Sequence, residues 1–397
     1  MILISVCWII LQILIGYNLV LPLKLYIFSL FRTNKNHKIS QNITGDYAII
    51  VTAYEQVTMI PEVVKSILNL NYSNYLVYLV ADKCDVSGLH FADERIIILR
   101  PETTLASNTR SHFYAINHFK RQHNRLTIID SDNLVHPEYL NELDKFFDQG
   151  YVALQGIREA KNLNSTYACL DAARDIYYHF YDGKVLFKSG SSATLAGSGM
   201  AFTTELYVDC LGNRDVTGAG FDKVLQSAIV GRDIRIAFTD KAIVYDEKTA
   251  NTDQLVNQRA RWINTWFKYF SLGFTLIGKG FAKPSWNQFL FGIILLRPPL
   301  FIFLLLSLMC LVLNLFISPV LALIWVIGFF IFVFGFYLAL LQSDTDKRIY
   351  SSLINIPKFI FFQVISLLKS RTANRRSIAT KHSAASSIDQ IIKKDES

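Results

Sequence analysis

The residues best suited to chemistry are Asp130 and Asp132, which flank Ser131 at the end of the run Leu126-Thr127-Ile128-Ile129. A short apolar, β-branched run reads as a buried central strand, and the carboxyl ends of such strands are where open α/β sheets bind ligands. Two carboxylates at i and i+2 can hold Mg²⁺ or Mn²⁺. Such a cation takes one or two protein carboxylates and fills its other positions with water and phosphate oxygens. A diphosphate is the cargo that suits this chemistry. Asp-X-Asp is also a common surface turn, and its place after a strand is what separates the two readings.

The elements that must position this pair read as one α/β unit. Residues 47–53 and 75–81 form the first strands, and the helix between them starts near Thr58-Met59-Ile60-Pro61 with proline in its first turn. A strand at 95–99, a helix at 110–120 and the strand ending at Asp130 complete a nucleotide-binding half. The strand ends Thr52-Ala53-Tyr54-Glu55, Asp82 and Asp130 are expected to face one crevice. Taken singly, Glu55 and Asp85 read as solvated loop residues.

Residues 137–148 read as a helix and 151–157 as a further strand. In Gly197-Ser198-Gly199-Met200 the paired glycines let a backbone approach closely, either that of another strand or a ligand. Asp222 opens a helix after Gly220-Phe221, near the helix's positive end. Gln258, Arg261 and Trp262 share a helix face by i, i+3, i+4 spacing. A basic juxtamembrane helix with an interfacial Trp has the same composition.

The 397-residue chain is 51% hydrophobic with a mean hydropathy of +0.28, which excludes an ordinary soluble enzyme. Residues 2–21 are long enough to cross a hydrocarbon core of about 30 Å. With no basic stretch before them and no small-residue cleavage site, they read as a retained anchor. Lys24, Arg32, Lys35 and Lys38 follow, so the positive-inside bias puts the amino terminus outside and the middle of the chain in the cytoplasm, as expected for an inner-membrane protein. Residues 300–317 and 320–342, split by Ser318-Pro319, read as a transmembrane hairpin. It returns the tail to the side of Lys347, Arg348, Lys369, Arg371, Arg375 and Arg376.

Residues 286–296 and 354–368 read as interfacial segments. Part of the net charge of +8 lies beside these segments, so anionic lipid rather than nucleic acid is the partner expected. The five cysteines are scattered without CxxC spacing and fit a reducing cytoplasm. The expected division is an anchor and flank at 1–31, an α/β domain at 46–270, an interfacial segment at 271–299 and a hairpin at 300–342. An interfacial helix and basic tail follow at 350–397, where Thr380-Lys381-His382 stands out.

Read in order, Thr52-Ala53-Tyr54-Glu55, Asp82, Asp130-Ser131-Asp132, Gly197-Ser198-Gly199-Met200, Asp222 and Gln258-Arg259-Ala260-Arg261-Trp262 resemble the family 2 glycosyltransferases. They look closest to the membrane branch of cellulose, chitin and hyaluronan synthases. The resemblance implies a GT-A fold, a nucleotide-diphosphate sugar donor, a divalent metal and inversion at the anomeric carbon. Carried over by position, Thr52, Ala53, Tyr54, Glu55 and Asp82 would hold the nucleoside, and Asp130 and Asp132 would face ribose, diphosphate and metal. Asp222 matches the general base. Gln258, Arg261 and Trp262 match the QxxRW signature, whose Arg would neutralise the leaving diphosphate and whose Trp would stack on an acceptor sugar, with Gly199 and Met200 as its floor. The sequence departs from the pattern in two places. Phe221 stands before the base, as in a bacterial subgroup that later carries Asp246-Glu247-Lys248, and Asn108 stands where a basic residue is expected, a role Arg110 could fill.

The leading expectation is a membrane-anchored hexosyltransferase that uses a UDP-sugar to extend or start a cell-surface glycan. Within that class, transfer to a lipid-phosphate carrier suits three spanning helices better than an extruded polymer, which would call for partner membrane proteins in export. The rivals are a nucleotide-binding transporter or receptor subunit, disfavoured by the lack of intramembrane charge, and a catalytically inactive scaffold.

Overall fold

The computed structural model describes residues 2–32 and 45–375, together with residues 388 and 391. Lys35, Lys38, Arg376 and Thr380-Lys381-His382 lie outside the described residues.

Long-range pairing gathers the strands into one eight-stranded mixed sheet. They are β1 (Tyr47–Tyr54), β2 (Tyr75–Asp82), β3 (Ile96–Leu99), β4 (Arg125–Asp130), β5 (Leu134–Val135), β6 (Ala153–Ala160), β7 (Met200–Thr203) and β8 (Ala237–Asp246). Their spatial order is β3-β2-β1-β4-β7-β6-β8-β5. The β3-β2-β1-β4 half is parallel; β1, β2 and β4 are largely apolar because both their faces are buried, while β3 at the edge is half-buried. β7 runs antiparallel to β4 and β6, β8 is parallel to β6, and β5 is antiparallel to β8. Thr52 on β1 is paired with Asp130 on β4, which puts the first strand's end beside the carboxylates.

The helices are α1 (Ile2–Phe31), α2 (Ile60–Leu68), α3 (Asn108–Asn117), α4 (Tyr139–Phe147), α5 (Thr166–Tyr178), α6 (Leu186–Lys188), α7 (Thr204–Leu211), α8 (Phe221–Val230), α9 (Thr252–Tyr269), α10 (Leu272–Ala282), α11 (Trp286–Leu296), α12 (Leu300–Ile317), α13 (Pro319–Leu341), α14 (Lys347–Ser352) and α15 (Ile356–Lys369). α3 starts two residues before the expected 110 because Ser107 caps it, its side chain accepting from the Arg110 amide. α5 runs into a π-helical stretch, His179–Val185, before α6. β6 begins at 153 and reaches 160, longer than expected, because β8 pairs with its second half.

Among the described residues, four segments are long and apolar enough to cross a membrane: Ser5–Phe31, Leu300–Ile317, Pro319–Leu341 and Lys347–Lys369. The first runs ten residues beyond the expected end at 21, through Pro22. The last includes the stretch expected to be interfacial. It is broken by a 3₁₀ turn at Leu353–Asn355, and α15 packs along α9, while Ile349, Leu353 and Phe359 share a small apolar cluster with Leu340 at the end of α13.

α1, α12 and α13 form a bundle. At its far end the Gln12 side-chain oxygen accepts from Asn314 Nδ2 at 2.5 Å and from Trp325 Nε1 at 2.8 Å. At its near end three contacts fasten it to the sheet domain. Arg32 donates to the Ser189 carbonyl at 2.8 Å, Tyr181 Oη donates to the Gly335 carbonyl at 2.7 Å, and Arg297, just before α12, is ion-paired with buried Asp182.

Candidate active site

The turn after β4 is braced from below. Ser198 Oγ accepts from the Asp130 amide at 3.1 Å and from Asn133 Nδ2 at 2.8 Å, so the glycine-flanked serine holds the carboxylate turn in place. Gly199, at φ 67, donates its amide to the Ile128 carbonyl, and a Cβ there would meet Val244 at 3.0 Å. Met200 is fully buried and lies opposite Ile128 in the sheet. For Gly199 these contacts are those of strand packing, whereas Gly197 faces open space and lines the site cavity.

Asp132 is buried, and its carbonyl accepts from Lys161 Nζ at 3.1 Å. Asp222 sits in the first turn of α8, its carboxylate 3.2 Å from Lys223 Nζ. Gly220, the cap of that helix, has φ 103, and a Cβ would fall 2.6 Å from both Thr265 and Tyr269 of α9. The preceding loop is anchored by Ser107 and Thr109, whose hydroxyls both donate to the Val216 carbonyl at 3.0 Å.

A cavity of about 1280 Å³ draws these elements together, lined by Thr52, Tyr54, Asp130, Asp132, Asp222, Gln258, Arg261 and Trp262. Ala53, Glu55, Asp82, Arg110, Gly199 and Met200 are not part of its lining. Of the strand ends expected to face one crevice, β1 brings Thr52 and Tyr54 to the cavity but not Glu55, β4 brings Asp130, and the end of β2 lies outside it. There Asp82 turns its two oxygens to the amides of Leu105 and Ala106, at 3.0 and 2.7 Å, and shapes that loop. Glu55 forms a surface ion pair with Lys83 at 2.7 Å, and Asp85 accepts from the Ser87 amide. Arg110 pairs with Asp215 at 2.5 Å, both well exposed, while Asn108 does line the cavity.

Trp262 lies beneath two guanidiniums, with the Arg259 and Arg174 carbons 4.0 and 4.4 Å from its ring. Arg261 is desolvated, which lowers its pKa, and Gln258 accepts from Thr249 Oγ1 at 3.0 Å. Lys248 lies between Asp175 at 2.7 Å and Asp246 at 3.0 Å. Burial would drive the Lys248 pKa down, but the two carboxylates overcome that and raise it. Lys248 and Arg158 in turn overcome the upward pull of burial, and of neighbouring Asp175, on Asp246 and lower it. Sequence reasoning had no role for Arg158, Asp171, Arg174, Asp175 or Arg259, all of which line the cavity. The available signal was Arg259 itself, a charge on the apolar stripe Leu255, Val256, Ala260, Ile263 of α9.

Residues 45–265 match the family described as glycosyltransferase like family 2. The chain belongs to that family. A mannosyltransferase from Pyrobaculum calidifontis, solved with GDP-Man and Mn²⁺, superposes with a TM-score of 0.54 at 13% identity, covering 92% of this chain and 98% of that one. Its likeness supports the GT-A fold for this family 2 member. TarS 1-349 of S. aureus, solved with UDP-GlcNAc, aligns at a TM-score of 0.39 and 13% identity over 83% of this chain and 90% of its own. A comparison with curated protein sequences gives no match. As a family 2 glycosyltransferase the chain is an enzyme of sugar transfer, and the five described cysteines are all free thiols.

Proposed function

We propose that the chain is a membrane-anchored, inverting hexosyltransferase that moves a sugar from a nucleoside-diphosphate donor, a UDP-sugar or similar, to a glycan or lipid-linked acceptor in cell-surface polysaccharide synthesis. One observation carries the reading: a single cavity is lined by the strand-end carboxylates, by Asp222 and by the Gln258, Arg261, Trp262 face, residues far apart in sequence.

Among the described residues no three metal-binding side chains converge. Two carboxylates on one turn nevertheless fit Mg²⁺ or Mn²⁺ that completes its shell with diphosphate and water. Asp130 and Asp132 would hold it, and when bound it supplies positive charge against the departing nucleoside diphosphate. Arg261 adds a desolvated guanidinium to the same task. Asp222 takes the proton from an acceptor hydroxyl as its oxygen bonds to C1, and the electron pair of the C1–O bond leaves with the diphosphate.

Lipid-linked acceptors are favoured by the rest of the lining, where Phe301, Leu304 and Leu308 of α12 and Phe332 and Phe336 of α13 border the same cavity. The basic flanks support a cytoplasmic catalytic domain at the cell's inner membrane, with the amino terminus outside. The test is a screen of the membrane-reconstituted full chain against nucleotide sugars, reading released nucleoside diphosphate. One donor is expected to be consumed, and chelator is expected to stop turnover reversibly. Full turnover in excess chelator would remove the metal, and no release with any donor would remove the transferase reading.

A further inference from the structure

Below the polar end of the cavity lies a charge cluster that the chemistry above leaves unused. Asp171 accepts from Arg174 at 3.0 Å and also from Arg259, and Arg174 reaches Asp175 at 2.5 Å. Arg158 stands 3.8 Å from Asp175 and 3.7 Å from Asp246, and Lys248 joins the latter two. Arg158, Arg174, Arg259 and Lys248 share Asp171, Asp175 and Asp246, and Asp130 lies near Arg158 as well. Among the described residues, Nε and Nη1 of Arg259 and Nε of both Arg158 and Arg174 are buried and meet no hydrogen-bond acceptor. The Arg259 side chain is only 3% exposed. Buried guanidinium N–H groups without acceptors are costly, and an anion is the ligand that would satisfy them. Burial, with Arg174 alongside, lowers the Arg259 pKa only to about 10, so it keeps its charge at neutral pH.

Position tells which anion. Arg174 lies 5.7 Å from the Tyr178 ring centre and Arg297 lies 5.8 Å from it. Tyr178 Oη accepts from the amide of Leu300, the first residue of α12, at 3.1 Å. One tyrosine therefore separates the guanidiniums from the apolar walls of the cavity.

We propose that Arg259 and Arg174 bind the phosphate of the acceptor, a saccharide joined through phosphate to a long hydrocarbon chain, with the chain lying between α12, α13 and α15. The inference rests on the transferase reading and deepens it. It assigns three of the cavity's cations to the two substrates: Arg261 serves the donor's diphosphate, and Arg259 with Arg174 serves the acceptor's phosphate.

The test uses the full chain in bilayer discs with two acceptors of equal chain length and identical saccharide, one linked through phosphate and one through a neutral ether, alongside nucleoside diphosphate binding. Wild type is expected to prefer the phosphate-linked lipid. Arg259→Gln and Arg174→Gln are each expected to raise its KM roughly tenfold or more, with the neutral lipid's KM, which shares the contact of both arginines with Trp262, raised far less, nucleotide affinity unchanged and partial rescue by Lys. Should Arg259→Gln fail to fold, the less buried Arg174 carries the measurement. Equal use of both lipids by wild type overturns the proposal. So does a fall in nucleotide affinity matching the loss of acceptor, which would assign these guanidiniums to the donor. Both of those outcomes leave sugar transfer itself intact, whereas failure of the transferase reading shows as no nucleoside diphosphate released with either lipid.

Discussion

Asp222 carries the sharpest commitment. Its side chain is 16% exposed on the first turn of α8 and lies within reach of Lys223, so it can meet substrate without being lost in bulk water. Asp222→Asn, nearly isosteric, is expected to keep donor and metal binding while transfer falls at least about a hundredfold. Near wild-type transfer by a folded variant would move suspicion to Glu205, Asp246 or Glu247, of which Asp246 is already committed to Lys248. Behind the site, His112 is fully buried, edge-on to Phe221 with ring centres 5.1 Å apart, its Nδ1 2.7 Å from Tyr207 Oη. Burial pushes its pKa from 6.5 down to about 3. The unfolded chain then binds a proton that the folded chain refuses. Its share of stability is complete above about pH 6.5 and is lost as pH falls toward 3, amounting to about 1.4 kcal/mol by pH 5.5. Thermal unfolding at pH 7.5 and 5.5 is expected to show this decline, smaller in His112→Gln, and an unchanged melting temperature in wild type would contradict a buried neutral imidazole. Asp130 and Asp132 stand out in the sequence because they end an apolar run, whereas Asp222 is singled out by the family resemblance; all three line the one cavity. Arg158, Arg174 and Asp175 were not legible there, since each acquires its meaning from partners brought in by other elements.

At the scale of elements, α8 and α9 form a joint whose fit depends on Gly220. Its positive φ, and the 2.6 Å at which a Cβ would meet Thr265 and Tyr269, leave no room for a side chain. Gly220→Ala is expected to cost roughly 1–3 kcal/mol and to displace Asp222, lowering turnover more than donor affinity; a variant with unchanged stability and kinetics would show that the joint is slack. The strands β1, β2 and β4 were readable from sequence because strands covered on both faces are apolar throughout. β5, β8 and the extension of β6 were not, because their pairing is long-range and includes a register shift between Gln155 and Ile157. α9 was seen as a helix with a functional face. That Arg259, which adjoins this face and stacks on the Trp262 ring, is also a functional-site candidate needed the position of Asp171 on α5.

At the scale of the whole molecule, the bundle is held at its far end by the Gln12 oxygen, which serves both Asn314 and Trp325. Gln12→Leu leaves two buried donors without that acceptor and is expected to cost about 1–2 kcal/mol, read as a lower melting temperature in detergent with donor affinity unchanged. No shift would mean that apolar packing alone holds the three helices. The near end is fastened by the Arg32, Tyr181 and Arg297 contacts, two of them to backbone carbonyls and one a buried ion pair. With α12 across a bilayer, these three fastenings set the carboxylates at one altitude above the lipid. On the reading proposed above, such an enzyme would measure its acceptor as a gauge measures depth: a saccharide of the right height would present its terminal hydroxyl to Asp222 and one a sugar taller would overshoot, so the lengths of the products made on a lipid-linked acceptor are expected to show a single addition.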